Sequence, residues 1–206
     1  MSTKNPKILR NPAETRAKIL EVAFNEIYCH GYKGTSTNAI IDKMEMTRGA
    51  FFHHFPTKDH LGFALIDEVL AGMIISRWIE PIANYKDPVQ GILKNFKRLI
   101  DEHLDEHILC GCPLNNLIQE LSDEPEFQKR TQAVMENWIF GTEALLKQAK
   151  QSGHLAKSVN TRQLAEFIVA CQEAAFSMGK ALNSRKSMRL THKSLTEYIN
   201  LLNQSE

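Results

Sequence analysis

The sequence predicts an all-α fold, and three observations carry that prediction. Apolar residues recur at intervals of three and four along almost the whole chain. No segment alternates apolar and polar with a period of two, as a half-buried strand would. Proline and small polar residues stand where the periodic segments begin, and glycine stands where several of them stop.

The first helix is predicted from Pro12 to residue 30. Ile19, Leu20, Ala23, Phe24 and Ile27 form one stripe, and Gly31 supplies a stop. Ser36 or Thr37 then caps a short helix carrying Ile40, Ile41 and Met44, and Thr47 caps another after a turn of three or four residues. Two short helices joined so tightly make a helix-turn-helix. A fourth helix is predicted over 58–80, ended by Pro81, and a fifth over 88–108. A short helix from Pro113 and a long one from Pro125 to Gln151, stopped at Gly153, precede the final pair. The chain therefore divides into a small N-terminal module, 1–57, and a larger helical domain, 58–206.

Composition narrows the function classes. No run of eighteen apolar residues is present, and the opening MSTKNPKILRNPAE has no apolar signal core, so a cytoplasmic protein without a membrane partner is expected. Four cysteines, Cys29, Cys110, Cys112 and Cys171, are too few and too scattered for a disulfide framework, so reduced thiols are expected. Residues 1–60 hold nine Lys or Arg against six Asp or Glu, and the remainder holds sixteen against eighteen, so the N-terminal module is the basic part. That excess permits nucleic-acid binding without requiring it. Lys4, Lys7 and Arg10 form an arm ahead of the first helix, read either as a solvated terminus or as a phosphate contact.

The stretch TRGAFFHHFPTKDHL, from Thr47 to Leu61, is the most informative. Helix phase from Thr47 turns Phe51 and Phe55 inward and leaves Arg48, Gly49, Ala50, Phe52 and His53 at the first turn and outer side. Short side chains at a helix N-terminus let backbone approach base edges, and an arginine there can take guanine or phosphate. Lys58 falls near a helix N-terminus, where a cation gains nothing from the helix dipole and a phosphate would explain it. His53 and His54 are adjacent, about 100° apart on a helix, and have no neighbouring cysteine, so no metal site is expected there.

Over residues 12–65 the pattern resembles the DNA-binding region of the tetracycline-repressor (TetR) family of bacterial regulators. The likeness rests on Gly31-Tyr32, the Thr35-Ser36-Thr37 start of the second helix, Thr47-Arg48-Gly49 and the box Phe52-His53-His54-Phe55 followed by Lys58. It implies that Ser36, Thr37, Asn38, Thr47, Arg48, Gly49, Ala50, His53, His54 and Lys58 face a near-palindromic operator. It also implies a homodimer joined through the last two helices, a small-molecule effector in the larger domain, repression relieved by that effector, and no enzyme activity, cofactor or metal. The stripe Leu164, Ile168, Cys171, Ala175, Met178, Leu182, continued by Leu195, Tyr198, Ile199 and Leu202, is read as the association face. Three positions depart from the family pattern. Glu45 stands where the turn usually has glycine, at a cost of about 1–2 kcal/mol if its backbone is left-handed. Phe52 lacks a phosphate-binding tyrosine hydroxyl, and Ile41 is bulkier than the usual alanine at the crossing of the second and third helices.

The larger domain is less legible. By resemblance, Phe96, His103, His107, Asn116, Trp138, Gln172 and Phe176 are candidate effector contacts. His103, His107, Cys110 and Cys112 also allow a metal- or redox-responsive regulator, and the sequence leaves pocket lining, reactive thiol and metal ligand all open. No nucleophile-base pair or paired carboxylates suggest catalysis.

Overall fold

The computed structural model describes residues 11–103 and 110–204. The basic residues Lys4, Lys7 and Arg10, and His107, lie outside them. The described chain is helical: α1 Pro12–His30, α2 Thr37–Lys43, α3 Arg48–His54, α4 over 58–82, α5 Pro88–Glu102, α6 Pro113–Leu121, α7 Pro125–Gln151, α8 Thr161–Leu182 and α9 Arg185–Gln204. The capping residues explain where six of these begin. Side-chain oxygens of Asn11, Ser36, Thr47, Thr57, Asp87 and Asn160 each accept a hydrogen bond from a first-turn backbone N–H.

In the N-terminal module, Ile19, Ala23, Ile40, Ile41, Phe51 and Phe55 close a small core, so the bulk of Ile41 is accommodated inside it. The turn between α2 and α3 keeps its left-handed residue. Glu45 has φ of 50°, its N–H donates to the Asp42 carbonyl, and the Met46 N–H donates to the Ile41 carbonyl. This is a Schellman closure with glutamate in the place that favours glycine. The turn pays for its geometry in backbone strain rather than in lost hydrogen bonds.

The fourth helix is continuous but not uniform. Ordinary turns over Lys58–Ala64 and Ala71–Ile74 alternate with wide turns over Leu65–Leu70 and Ile75–Ile79, and a tight turn over Glu80–Ile82 follows. The Ala71 N–H reaches five residues back to the Ile66 carbonyl, and Glu80 reaches likewise to Ile75. Wide turns of this kind rotate side chains off the regular register and recur at functional sites. Here the second one presents Arg77 and Trp78. The buried Asn95 amide of α5 donates 2.8 Å to the Arg77 carbonyl and holds that turn.

Helix α5 buries Val89, Ile92, Leu93, Phe96, Leu99 and Ile100 at helical spacing. It ends at Glu102, earlier than the sequence predicts, because His103 turns to extended backbone with ψ of 121°. The guanidinium of Arg185 on α9 donates to the carbonyls of Ile100, Asp101 and His103 at that end, capping groups the helix leaves unpaired.

Helices α8 and α9 correct the predicted association stripe. Leu164, Ile168, Ala175, Leu195 and Ile199 are buried within the chain itself. A Cβ on Gly179 would lie 2.8 Å from Met188, so the small residues there serve the approach of α9 to α8. Met178, Leu182 and Tyr198 do remain exposed, together with Phe167, Leu190 and Leu201, which the sequence reading did not select. The predicted period was right, but the stripe divides between an inner and an outer face.

A second correction concerns the thiols. Cys29 at the end of α1 and Cys110 ahead of α6 form a disulfide across a separation of 81 residues. Sequence spacing could not reveal it, because only the packing of α1 against the larger domain brings the two together. Cys112 and Cys171 remain as thiols.

Candidate nucleic-acid interface and interior cavity

The outer end of α3 is bare. Thr47, Arg48, Gly49 and Ala50 are all exposed, and no atom lies within 4 Å of where a Gly49 Cβ would be. No ion pair or hydrogen bond engages the Arg48 guanidinium among the described residues. Thr47 is the cap, its hydroxyl accepting from the Ala50 N–H at 3.2 Å. Ser36 caps α2 in the same way, 3.1 Å from the Ala39 N–H, with Asn38 exposed and Thr37 half-buried beside it. His53 is exposed, and His54 is half-buried 5.5 Å from it, ring centre to ring centre. Partial burial, with His53 and Arg16 nearby, pushes the His54 pKa down, so this ring is biased toward its neutral form. Phe52 packs edge-on against Phe51 and keeps 40% of its surface exposed.

Lys58 is placed differently from the other nine candidates. Its ammonium donates 2.6 Å to the Tyr32 carbonyl and lies 4.3 Å from the centre of the Tyr32 ring. That contact accounts for a cation in the first turn of α4 without a phosphate. Tyr32 is itself a junction. Its hydroxyl donates to Asp59 at 2.8 Å, its backbone N–H and that of Lys33 donate to the Glu120 carboxylate of α6, and its ring packs edge-on against Phe127 of α7. Burial and Asp59 raise the Tyr32 phenol pKa, so it stays a donor. Two further pairs reinforce the joint: Arg16 with Glu68, and Arg130 with Asp67. Helix α4 is thus bonded at one end to the N-terminal module and at the other forms part of a cavity wall.

That cavity measures about 150 Å³. Phe24, Asn25 and Tyr28 of α1 face Met73, Ile74, Arg77 and Trp78 of α4 across it. Leu99, His103, Gly111, Cys112, Pro113, Trp138 and Phe176 complete the lining. Trp78 stacks obliquely on Trp138 at 5.0 Å and meets Phe176 edge-on at 6.0 Å. Of the predicted effector contacts, His103, Trp138 and Phe176 line this space. Phe96 does not; it is fully buried behind Trp78, 5.8 Å away. The Asn116 amide donates to the Cys110 carbonyl at 2.6 Å, outside the cavity. Gln172 is buried with an unpartnered Oε1 and does not reach the lining either. The residues of α1 and α4 were missed, although the Arg77-Trp78 pair within an apolar helix was a visible signal.

The predicted metal alternative fails on Cys110, whose sulfur is bonded to Cys29. Cys112 is also engaged, its thiol donating to Glu173 at 3.0 Å, and burial raises the pKa of both groups. Among the described residues, no group of three or more His, Cys, Asp or Glu is arranged to hold a metal. A larger hollow of about 470 Å³ lies between α8 and α9, with the exposed Phe167 and Tyr198 in its wall. It belongs to the outer apolar face. Among the described residues, no helix is long and apolar enough to cross a membrane.

Residues 88–195 match the model of a tetracyclin repressor-like C-terminal domain, and residues 19–65 match that of bacterial regulatory proteins of the tetR family. An HTH-type transcriptional regulator encoded in the lacX 3' region of Lactococcus lactis is 31% identical over 160 residues, covering 70% of this chain and 78% of that protein. A TetR transcriptional regulator from Chloroflexus aurantiacus superposes with a TM-score of 0.81 at 24% identity, over 93% of this chain and 97% of the other. The reduced form of Escherichia coli NemR superposes equally well, with a TM-score of 0.81 at 18% identity, over 89% and 96%.

Proposed function

The chain belongs to the TetR family of helix-turn-helix transcriptional regulators, and from that premise we propose that it is a homodimeric repressor released from a near-palindromic operator by a small molecule. The bare end of α3 carries the reading. Arg48, Gly49 and Ala50 offer one unpaired cation and two minimal side chains at a helix start, the combination that admits backbone to a major groove. Ser36, Thr37, Asn38, Thr47, His53 and His54 surround it as backbone and base contacts. Lys58 acts through Tyr32, holding α4 to the reading head.

A single head gives little specificity, so the outer face of α8 and α9 matters. Phe167, Met178, Leu182, Leu190, Tyr198 and Leu201 make an apolar surface suited to a second copy. A two-fold dimer sets two α3 helices about 34–36 Å apart, one helical turn of DNA. Residues 58–206 serve as the sensing and dimerising part. An effector in the cavity moves the Arg77-Trp78 wall, and α4 carries the displacement to Tyr32. It releases DNA only if it binds the DNA-incompetent arrangement more tightly.

Selection from random duplex DNA tests the proposal. The expected product is a pair of inverted half-sites one turn apart, each occupied by one protomer. Enrichment of no sequence would overturn it.

The Cys29–Cys110 bond favours a second reading, in which thiol redox state also sets operator affinity. Reduction by a dithiol gives two cysteine thiols and the oxidised dithiol, and it unlinks α1 from the segment bearing Gly111, Cys112 and Pro113 of the cavity wall. Titrating operator DNA with and without dithiothreitol tests it. A shift in wild-type protein that vanishes in Cys29→Ser supports a redox input; equal shifts in both reject it.

A further inference from the structure

The cavity wall holds two donors that the protein leaves unanswered. Trp138 is 1% exposed, and its indole Nε1–H has no hydrogen-bond partner. An indole N–H donates only, so a buried one without an acceptor carries an uncompensated desolvation cost. Arg77 is exposed and stands at the cavity mouth, and among the described residues no hydrogen bond or ion pair engages its guanidinium. Between these two, the space is walled by the faces and edges of Trp78, Trp138, Phe176 and Phe24. The lining residues therefore include an unpartnered indole N–H donor, an exposed cation and aromatic surface.

We propose that the effector is a monocyclic aromatic carboxylate whose carboxylate is held by Arg77, whose ring lies against Trp78 and Phe176, and whose acceptor substituent meets the Trp138 N–H. Size agrees with this class, since a cavity of about 150 Å³ admits one benzene ring. Glu173, which accepts a hydrogen bond from the Cys112 thiol, lies outside the cavity lining, and among the described residues the lining holds no carboxylate. Among the described residues of the lining, Arg77 is the one that carries a permanent charge. The wide turn over Ile75–Ile79 and the Asn95 bond to its carbonyl aim Arg77 and Trp78 into the same space.

This inference rests on the reading of the cavity as the effector site, and the two are separable by experiment. Both tryptophans of the chain line the cavity, so intrinsic tryptophan fluorescence reports on it directly. Full-length protein is titrated with 4-hydroxybenzoate, with the neutral 4-hydroxybenzamide and with the cationic 4-hydroxybenzylamine. The expected result is saturable quenching by the carboxylate, about tenfold or more tighter than by either analogue, with the preference lost in Arg77→Gln. The Trp138→Phe variant should weaken the hydroxylated acid but not benzoate, which separates the lost hydrogen bond from lost packing. Equal or tighter binding of the amide or amine, or no quenching by any of the three, overturns the ligand class. Carboxylate binding that leaves operator affinity unchanged would retain the class and overturn the effector reading instead.

Discussion

Gly49 has empty space on its outer side, as an exposed position does and a packed one does not. The Gly49→Leu variant is therefore expected to fold with undiminished stability, since leucine favours helix over glycine by nearly 1 kcal/mol. It should nonetheless lose about tenfold or more in operator affinity, because the new side chain holds the helix start away from base edges. Thermal unfolding and operator titration on the same preparation check both halves. Glu45 gives the opposite case. Its left-handed backbone at φ of 50° suits glycine, so Glu45→Gly should stabilise the protein by about 1 kcal/mol in denaturant unfolding. Glu173 makes a pH-dependent case. Burial raises its pKa in the folded state, so its ionisation opposes folding as pH rises above the unfolded value of about 4.3. The Glu173→Gln variant should then gain stability relative to wild type at pH 7 and show little gain at pH 4. An equal difference at both pH values would assign the effect to something other than ionisation.

Helix α4 shows what pattern alone conveys and what it conceals. Its approximate extent was readable from periodicity, although Pro81 lies inside the closing tight turn rather than ending the helix at 80; the caps at Ser36 and Thr47 and the inward turn of Phe51 and Phe55 were readable too. The wide turns were not readable, because they arise from partners on other elements, such as Asn95 of α5. The same limit hid Phe24 and Tyr28 from the cavity and Cys29 from Cys110, since each pairing depends on how α1 docks. It also placed Leu164 and Ile168 on the wrong side of α8, where periodicity identifies an apolar face without saying which neighbour covers it. Replacing Asn95 by Leu leaves the Arg77 carbonyl without its donor, at a cost of about 1–3 kcal/mol. Such a variant should also bind cavity ligands more weakly than its loss of stability explains, which fluorescence titration at a temperature well below unfolding would reveal.

At the scale of the whole molecule, the proposed function requires two copies. In the proposed dimer, two reading heads multiply one weak contact by an effective concentration that a single head lacks. Changing Met178 and Leu182 together to aspartate places charge on the exposed apolar face without entering the core of the chain. The double variant is expected to sediment as a folded monomer and to bind operator at least about 100-fold more weakly. A dimer that survives these changes would move the association face elsewhere. The most direct measurement of the central claim, that the start of α3 meets DNA, is the salt dependence of operator binding by wild type and Arg48→Ala. Weaker binding by the variant is expected, with a log–log salt slope shallower by about one for each protomer where the arginine meets phosphate. Unchanged affinity with an unchanged slope would contradict the claim.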